Sequence, residues 1–373
     1  MDSRWKKNFP VITCVMCAVL LAGLGLVCLY SALRGSLVVP VNILNKQIAL
    51  LAVAVGLMLA VAFVKEQFLR NVAYLGLGVA LLGLVLVLIP GIGVKVNGAS
   101  RWLSLGVSRF QFSEVAKVLF VIGFAHYLTT MQRHKKSWLL GFMVPACIIG
   151  VFVGLLILEP DFGTAFLFGA VGFTMLYLWG ARLDALIGSM TLGVGAFLVL
   201  IYNDPIRWKR ITSFLDIEGN KNDGAYQLYQ GLLAYGSGGV GGLGIGNGRQ
   251  KQAFLPEAHT DFIFPVIGEE LGLFATCAIV VLFALLFFAI IRMIKNAPDM
   301  YWFLVMIGVA GFLVYQSIFN IGVVTGLLPT KGISLPFISY GGANLVSSFL
   351  MVGVLLCAWR NCDHSPVTKA REV

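Results

Sequence analysis

About ten runs of apolar residues, most of them eighteen or longer, recur along the whole of this 373-residue chain, and each is long enough as a helix to cross the roughly 30 Å hydrocarbon core of a bilayer. They lie near 10–32, 46–64, 71–90, 112–130, 139–158, 163–180, 184–202, 262–292, 301–325 and 337–359. The eighth is long enough to hide a break. With 59% of residues hydrophobic and only 12% charged, about half the charged share of soluble domains, no soluble core has room for this surface. The expected fold is an all-α integral membrane protein, a single polytopic domain over residues 1–373. The first run follows the basic Arg4-Trp5-Lys6-Lys7 start without a small-x-small cleavage site, which reads as a retained anchor.

The formal net charge of +10 raises the question of nucleic acid, but its distribution answers it. Lysines and arginines crowd the termini and the loops near 65–70, 133–136, 182 and 292–295, which alternate to one side of the membrane. By the positive-inside rule that side is cytoplasmic, and both termini belong there. The one long connection, about 203–261 between the seventh and eighth spans, is then extracytoplasmic, as are shorter loops near 91–111 and 327–336. A loop of that length between packed helices is usually functional, so the outer face is where chemistry is expected. Seven cysteines lie almost entirely inside apolar runs without metal-ligand spacing, as small core residues do.

Within the long loop, the glycine-rich run Gly236 to Gly248 has loose matches to a phosphate-cradling loop, but it lacks the flanking strand and helix that such a loop needs. Turns and close backbone approach account for it. Charges inside or beside the apolar runs are more informative, because an unpaired charge at membrane depth costs roughly 3 kcal/mol or more. Glu114 and Lys117 share one helical face and can pair. Asp161 stands at the outer start of a helix, where the positive dipole end favours a carboxylate, and Glu159 beside it exceeds what capping needs. The densest cluster is Glu257, His259, Thr260 and Asp261, followed by Glu269 and Glu270 two turns into the eighth span. Thr260 or Asp261 would be an ordinary cap, but capping does not explain the others.

At this cluster the sequence resembles the SEDS family, the shape, elongation, division and sporulation proteins that polymerise bacterial peptidoglycan. The resemblance covers nearly the whole chain. It rests on Arg101-Trp102, Ser113-Glu114-Val115-Ala116-Lys117, Glu159-Pro160-Asp161-Phe162-Gly163-Thr164, Phe214-Leu215-Asp216, Tyr226-Gln227, Gly246-Asn247-Gly248, the stretch from Pro256 to Gly272, and the stretch from Leu328 to Gly342. The Pro256-to-Phe262 and Leu328-to-Gly332 segments look more like the division branch than the elongation branch. Ser100, Phe112, Glu159 and Ala343-Asn344 depart from the usual family residues.

The resemblance implies a glycosyltransferase that joins lipid II units on the outer face of the bacterial cytoplasmic membrane. The growing glycan on undecaprenyl pyrophosphate is the donor, and a lipid II hydroxyl is the acceptor. Asp261 matches the family's catalytic aspartate, and a base that takes the hydroxyl proton contributes about 10²–10⁴-fold. Arg101, Arg207, Arg210, Lys331 and Lys117 are candidates to neutralise the pyrophosphate leaving group, the arginines being suited to bidentate contacts. A divalent cation, Mg or Mn, is a further means, although no ligand spacing stands out. Glu114, Glu159, Asp161, Glu257, His259, Thr260, Glu269 and Ser339 complete the expected substrate or cavity residues. Direct displacement would invert an α-linked donor to a β-linked product. The implied partners are a class B penicillin-binding protein transpeptidase, other division proteins and membrane lipids at the division septum, and no nucleic acid. A lipid II flippase and a non-catalytic scaffold for the transpeptidase share many of these features. The gathering of acids at one face, without an inverted repeat, favours chemistry over transport.

Overall fold

A computed structural model describes residues 3–35, 42–96, 99–104, 109–251, 255 and 259–362. Hydrocarbon offers no partner to a backbone N–H or C=O, so apolar runs of this length satisfy their own polar groups by coiling into helices. The helices are α1 (Ser3–Gly35), α2 (Asn42–Ala62), α3 (Glu66–Asn71), α4 (Ala73–Leu88), α5 (Phe112–Thr130), α6 (Val144–Leu158), α7 (Phe162–Trp179), α8 (Leu183–Tyr202), α9 (Pro205–Leu215), α10 (Tyr226–Gly238), α11 (Ile263–Ile294), α12 (Met300–Val324) and α13 (Gly342–Arg360). Nine helices among the described residues are long and apolar enough to cross a membrane, and the sixteen-residue α4, joined to α3 at Val72, occupies the one remaining expected span, 71–90. The chain is an integral membrane protein.

The loops sort to two ends, as the charge pattern requires. At the cytoplasmic end Arg70 pairs with Glu66 at 2.6 Å and with Asp299, and Arg360 donates to the Val64 carbonyl at 2.6 Å. Buried residues dominate α5, α7, α12 and α13 at the centre, whereas α2 and α8 turn most side chains outward to lipid. Phe120, Phe152, Phe168 and Phe312 stack across four helices with ring centroids 5.0–6.5 Å apart. Glycines let backbones approach where side chains would hold them apart. A Cβ at Gly123 would lie 2.8 Å from the Ala73 carbonyl, and one at Gly353 2.7 Å from that of Met58.

Two features go beyond the expectation of plain helices and loops, and a third meets it. The 91–111 connection holds a small antiparallel sheet, β1 (Gly93–Val96), β2 (Ala99–Ser104) and β3 (Arg109–Phe110), in the order β1-β2-β3. The long outer connection carries α9 and α10 rather than open chain. The eighth span does contain a break, at Gly272, whose φ of 76° and ψ of −171° divide α11 into Ile263–Leu271 and Leu273–Ile294.

A broken helix leaves carbonyls without their i+4 amides. The glycine-rich run supplies them: Leu243 N donates to the Glu269 carbonyl at 3.0 Å and Gly244 N to that of Glu270 at 2.9 Å, while Leu273 N donates to the Gly239 carbonyl at 3.0 Å. The glycines thus serve close backbone approach against the break. At Gly272 a Cβ would run into the Gly242 amide and the Val240 carbonyl, in a backbone region that side chains disfavour. Gly272→Ala is therefore expected to destabilise the protein by about 2–4 kcal/mol. A melting temperature in detergent equal to the wild type would refute this account of the break.

Candidate functional site

The outer parts of α5, α7, α12 and α13, with α9, the start of α10, the 259–262 segment and the 325–341 loop, enclose an open cavity of about 1040 Å³. Its walls bring together Arg101, Glu114, Lys117, Asp161, Arg207, Arg210, Thr260, Asp261 and Lys331 from the sequence reading.

On one side a chain of hydrogen bonds runs from the bundle interior to Asp261. Glu114 and Lys117, one turn apart on α5, pair at 2.8 Å, and Ser347 on α13 donates to Glu114 Oε2 at 2.6 Å. Lys117 Nζ donates to Gln316 Oε1 at 2.9 Å; Gln316 Nε2 donates to the Ser334 carbonyl at 2.8 Å and to Asn344 Oδ1 at 2.9 Å. Ser334 Oγ then donates to Asp261 Oδ1 at 3.2 Å. Asn320, one turn beyond Gln316 on α12, donates to the carbonyls of Asp261 at 2.9 Å and Ile333 at 2.7 Å, tying the Asp261 backbone to the 325–341 loop. Gly332 leaves room for the carboxylate, since a Cβ there would sit 2.7 Å from Asp261 Oδ2.

Cations gather around the start of α7. Asp161 caps that helix, accepting from Thr164 N at 3.3 Å and Thr164 Oγ1 at 2.8 Å. Next to it, the Phe162 ring carries the Arg207 guanidinium at 3.4 Å on one contact and Lys331 Nζ at 5.1 Å on another. Arg207 is held by Asp204, the cap of α9, at 3.0 Å, and Arg101 donates to the Pro160 carbonyl at 2.5 Å. Burial pushes the Lys331 ammonium down to about 8, with Arg101, Arg210 and Arg207 acting in the same direction against the pull of Asp161. Like charges held this close are stabilised by a bound anion, and the planar guanidinium forks suit a phosphate.

Other expected residues stand elsewhere. Glu159 does not line the cavity; it is buried behind the capping Asp161, where burial, and then Asp161, push its carboxyl up to about 8 despite Arg101. Its protonated form is therefore favoured near pH 7. Glu269 does not face the cavity either: it is wholly buried and accepts from Arg249 N at 2.7 Å and Gln250 N at 3.2 Å. Ser339 is buried in a turn, its Oγ accepting from Leu335 N at 2.8 Å. His259 lies beside the cavity wall, its ring 5.7 Å from that of Tyr340 and its carbonyl accepting from Tyr340 N at 3.0 Å. Glu257 lies outside the described residues. Gln316 and Asn320 escaped the sequence reading, although two amides at i and i+4 within an apolar span were visible signals. Among the described residues no group of three or more His, Cys, Asp or Glu converges on a metal-sized site.

Residues 12–364 match the family model for the FtsW/RodA/SpoVE proteins, described as "Cell cycle protein". The chain belongs to this family. A relative from Coxiella burnetii, "Probable peptidoglycan glycosyltransferase FtsW", is 40% identical over 78% of this chain and 86% of its own. One of the same name from Thioalkalivibrio sulfidiphilus is 38% identical over 92% and 88%. Among solved structures, a chain from "Structural coordination of polymerization and crosslinking by a peptidoglycan synthase complex" superposes with a TM-score of 0.79 at 27% identity, covering 94% of this chain and 98% of its own. The Thermus thermophilus rod shape determining protein RodA gives a TM-score of 0.71 at 26% identity, covering 94% and 97%. The FtsW/RodA/SpoVE fold thus extends over both the hydrogen-bonded chain and the cationic wall.

Two outcomes follow from the site. As pH rises through about 8, Lys331 loses its charge and Glu159 gains one, so both steps make the α7 wall more negative. Affinity for a lipid diphosphate should fall above that pH, by up to roughly tenfold per unit for each proton that must be held. Glu159→Gln and Lys331→Arg should each move the fall to higher pH; an unmoved profile would exclude these two groups. Separately, Lys117→Met leaves Glu114 buried without its cation and should cost about 3–5 kcal/mol in a detergent melt, whereas Glu114→Gln with Lys117→Met should recover most of it. A double variant as unstable as the single would show that the pair is not the unit.

Proposed function

We propose that the protein is a peptidoglycan glycosyltransferase that polymerises lipid II at the outer face of the cytoplasmic membrane for septal wall synthesis. The observation that carries this reading is one cavity with a held carboxylate, Asp261, on one side and Arg101, Arg207, Arg210 and Lys331 on another. Attack by a sugar hydroxyl on an anomeric carbon needs a base as the new bond forms, and departure of a diphosphate needs positive charge. In this reading Asp261 takes the acceptor proton. Ser334 and Asn320 orient it, and the cations around Phe162 receive the diphosphate charge as the old glycosidic bond breaks. Displacement at a single centre converts an α-linked donor into a β-linked product.

The names of the relatives support the activity, and a solved neighbour that belongs to a complex coordinating polymerization and crosslinking supports a crosslinking partner, which in this reading is a class B penicillin-binding protein transpeptidase. If a divalent cation takes part, the substrate phosphates themselves would supply most of its ligands, with a carboxylate such as Asp161 completing the set.

The test uses purified protein with its cognate transpeptidase and labelled lipid II in detergent, where there are no compartments to cross. Wild type should form glycan chains and Asp261→Asn should lose at least about 10²-fold in rate while melting normally. Normal polymer from the folded variant would remove Asp261 from the reaction. Lipid II translocation in vesicles by a protein that makes no polymer would instead support a flippase.

A further inference from the structure

A second buried polar cluster lies outside the cavity, where the glycine-rich run meets the break in α11. Lys251 Nζ pairs with Glu270 Oε1 at 2.5 Å and donates to the Ser31 carbonyl at 3.0 Å and to Ser31 Oγ at 3.1 Å. Ser31, at the outer end of α1, donates its hydroxyl to Glu270 Oε2 at 2.5 Å and accepts from Gly246 N at 3.0 Å. Glu269, one residue earlier and facing another direction, takes the amides of Arg249 and Gln250. Gly248 admits both carboxylates, since a Cβ there would stand 2.9 Å from Glu269 Oε2 and 3.0 Å from Glu270 Oε1. Lys251, Glu270 and Glu269 are 4%, 3% and 0% exposed, so none of this is surface charge pairing.

Charges this deep are costly, and replacing such a pair with apolar residues is often neutral or stabilising. Stability is therefore a poor reason for it. Its placement suggests another. Lys251 and Glu270 are nineteen positions apart, and Asp261 stands between them, ten positions after the lysine and nine before the glutamate. The pair thus joins two positions that flank Asp261 in sequence. The half of α11 from Ile263 to Leu271, which follows Asp261 directly, is separated by the Gly272 break from the rest of its helix, so its orientation is not inherited from Leu273–Ile294. Something else must set it. At one end this half is bound by the Leu243 and Gly244 amides and by the Lys251–Glu270 pair, and at the other Asn320 and Ser334 bind Asp261.

Resting on the glycosyltransferase reading above, we propose that Ser31, Lys251 and Glu270 are positioning residues: a clasp that fixes the short half of α11 against α1 and so holds Asp261 at its working distance from the cationic wall. None of the three touches the cavity lining. A displaced base loses rate far more than it loses substrate binding, because proton transfer is sensitive to about 1 Å while the cations assigned to the diphosphate lie on β2, α9 and the 325–341 loop.

The test compares Lys251→Met, Glu270→Gln and the double variant with wild type in polymerisation kinetics, and measures amide hydrogen exchange in peptides covering 259–271. The double variant removes the pair without leaving a buried charge, so it carries the test if a single variant fails to fold. The expected result is a kcat lower by about tenfold or more with KM for lipid II within about twofold, and faster exchange in 259–271 at an unchanged melting temperature. An unchanged kcat in the folded double variant, or a kcat that falls only with the amount of folded protein, would overturn the clasp. A wild type that makes no polymer counts against the glycosyltransferase reading alone; the exchange measurement then still decides, and unchanged exchange in 259–271 rejects the clasp.

Discussion

A carboxylate and an ammonium placed in hydrocarbon must find each other, because lipid supplies neither water nor counter-ion. Glu114 and Lys117 meet that demand within one turn of α5, but their remaining lone pairs and protons still need partners. Ser347 takes one and Gln316 another, and Gln316 then reaches Ser334 and Asn344. Each added polar group creates the need for the next, until the series ends on Asp261 at the open mouth. Two helices, α12 and α13, and the 325–341 loop are bound to α5 by this sequence of obligations. Packing the bundle and aiming the outer carboxylate are consequently one problem. A buried network of this kind also resists small shifts, since movement strands a buried partner.

The opposite wall follows another logic. Arg207 and Lys331 both contact the Phe162 ring, and Arg101 and Arg210 are close enough to depress the Lys331 ammonium. Two acids share this wall and offset part of its charge: Asp204 pairs with Arg207 and caps α9, while Asp161 caps α7, leaving the cations in excess. The result is preorganised positive charge whose reorganisation need not occur during the reaction. Burial and Asp161 favour the protonated form of Glu159, which limits how far this carboxyl offsets the wall.

Much of this was legible beforehand. Apolar run lengths place the spans within a few residues: 112–130 for α5 coincides with the helix, and the overlong 262–292 run hides its break as suspected. Spacing alone pairs Glu114 with Lys117, and position alone makes Asp161 a cap. Long-range partnerships were not legible. Nothing local in Glu269 or Glu270 says that backbone amides at 249–250 and a lysine at 251 would take them, so Glu269 read as a cavity residue when it is a loop anchor. Ser339 failed for the same reason, its hydroxyl being used by a turn four residues back. The sheet at 93–110 and the helices α9 and α10 are short, and short elements in a loop have little periodicity to read.

The central claim is that Asp261 and the Phe162 cations face the same substrate from two sides. The most direct measurement is a structure of the Asp261→Asn protein with lipid II bound. The account predicts the diphosphate against Arg101, Arg207 and Lys331, and an acceptor sugar hydroxyl within hydrogen-bonding distance of the residue 261 side chain. A diphosphate seated elsewhere, or a residue 261 side chain remote from every sugar hydroxyl, would contradict it.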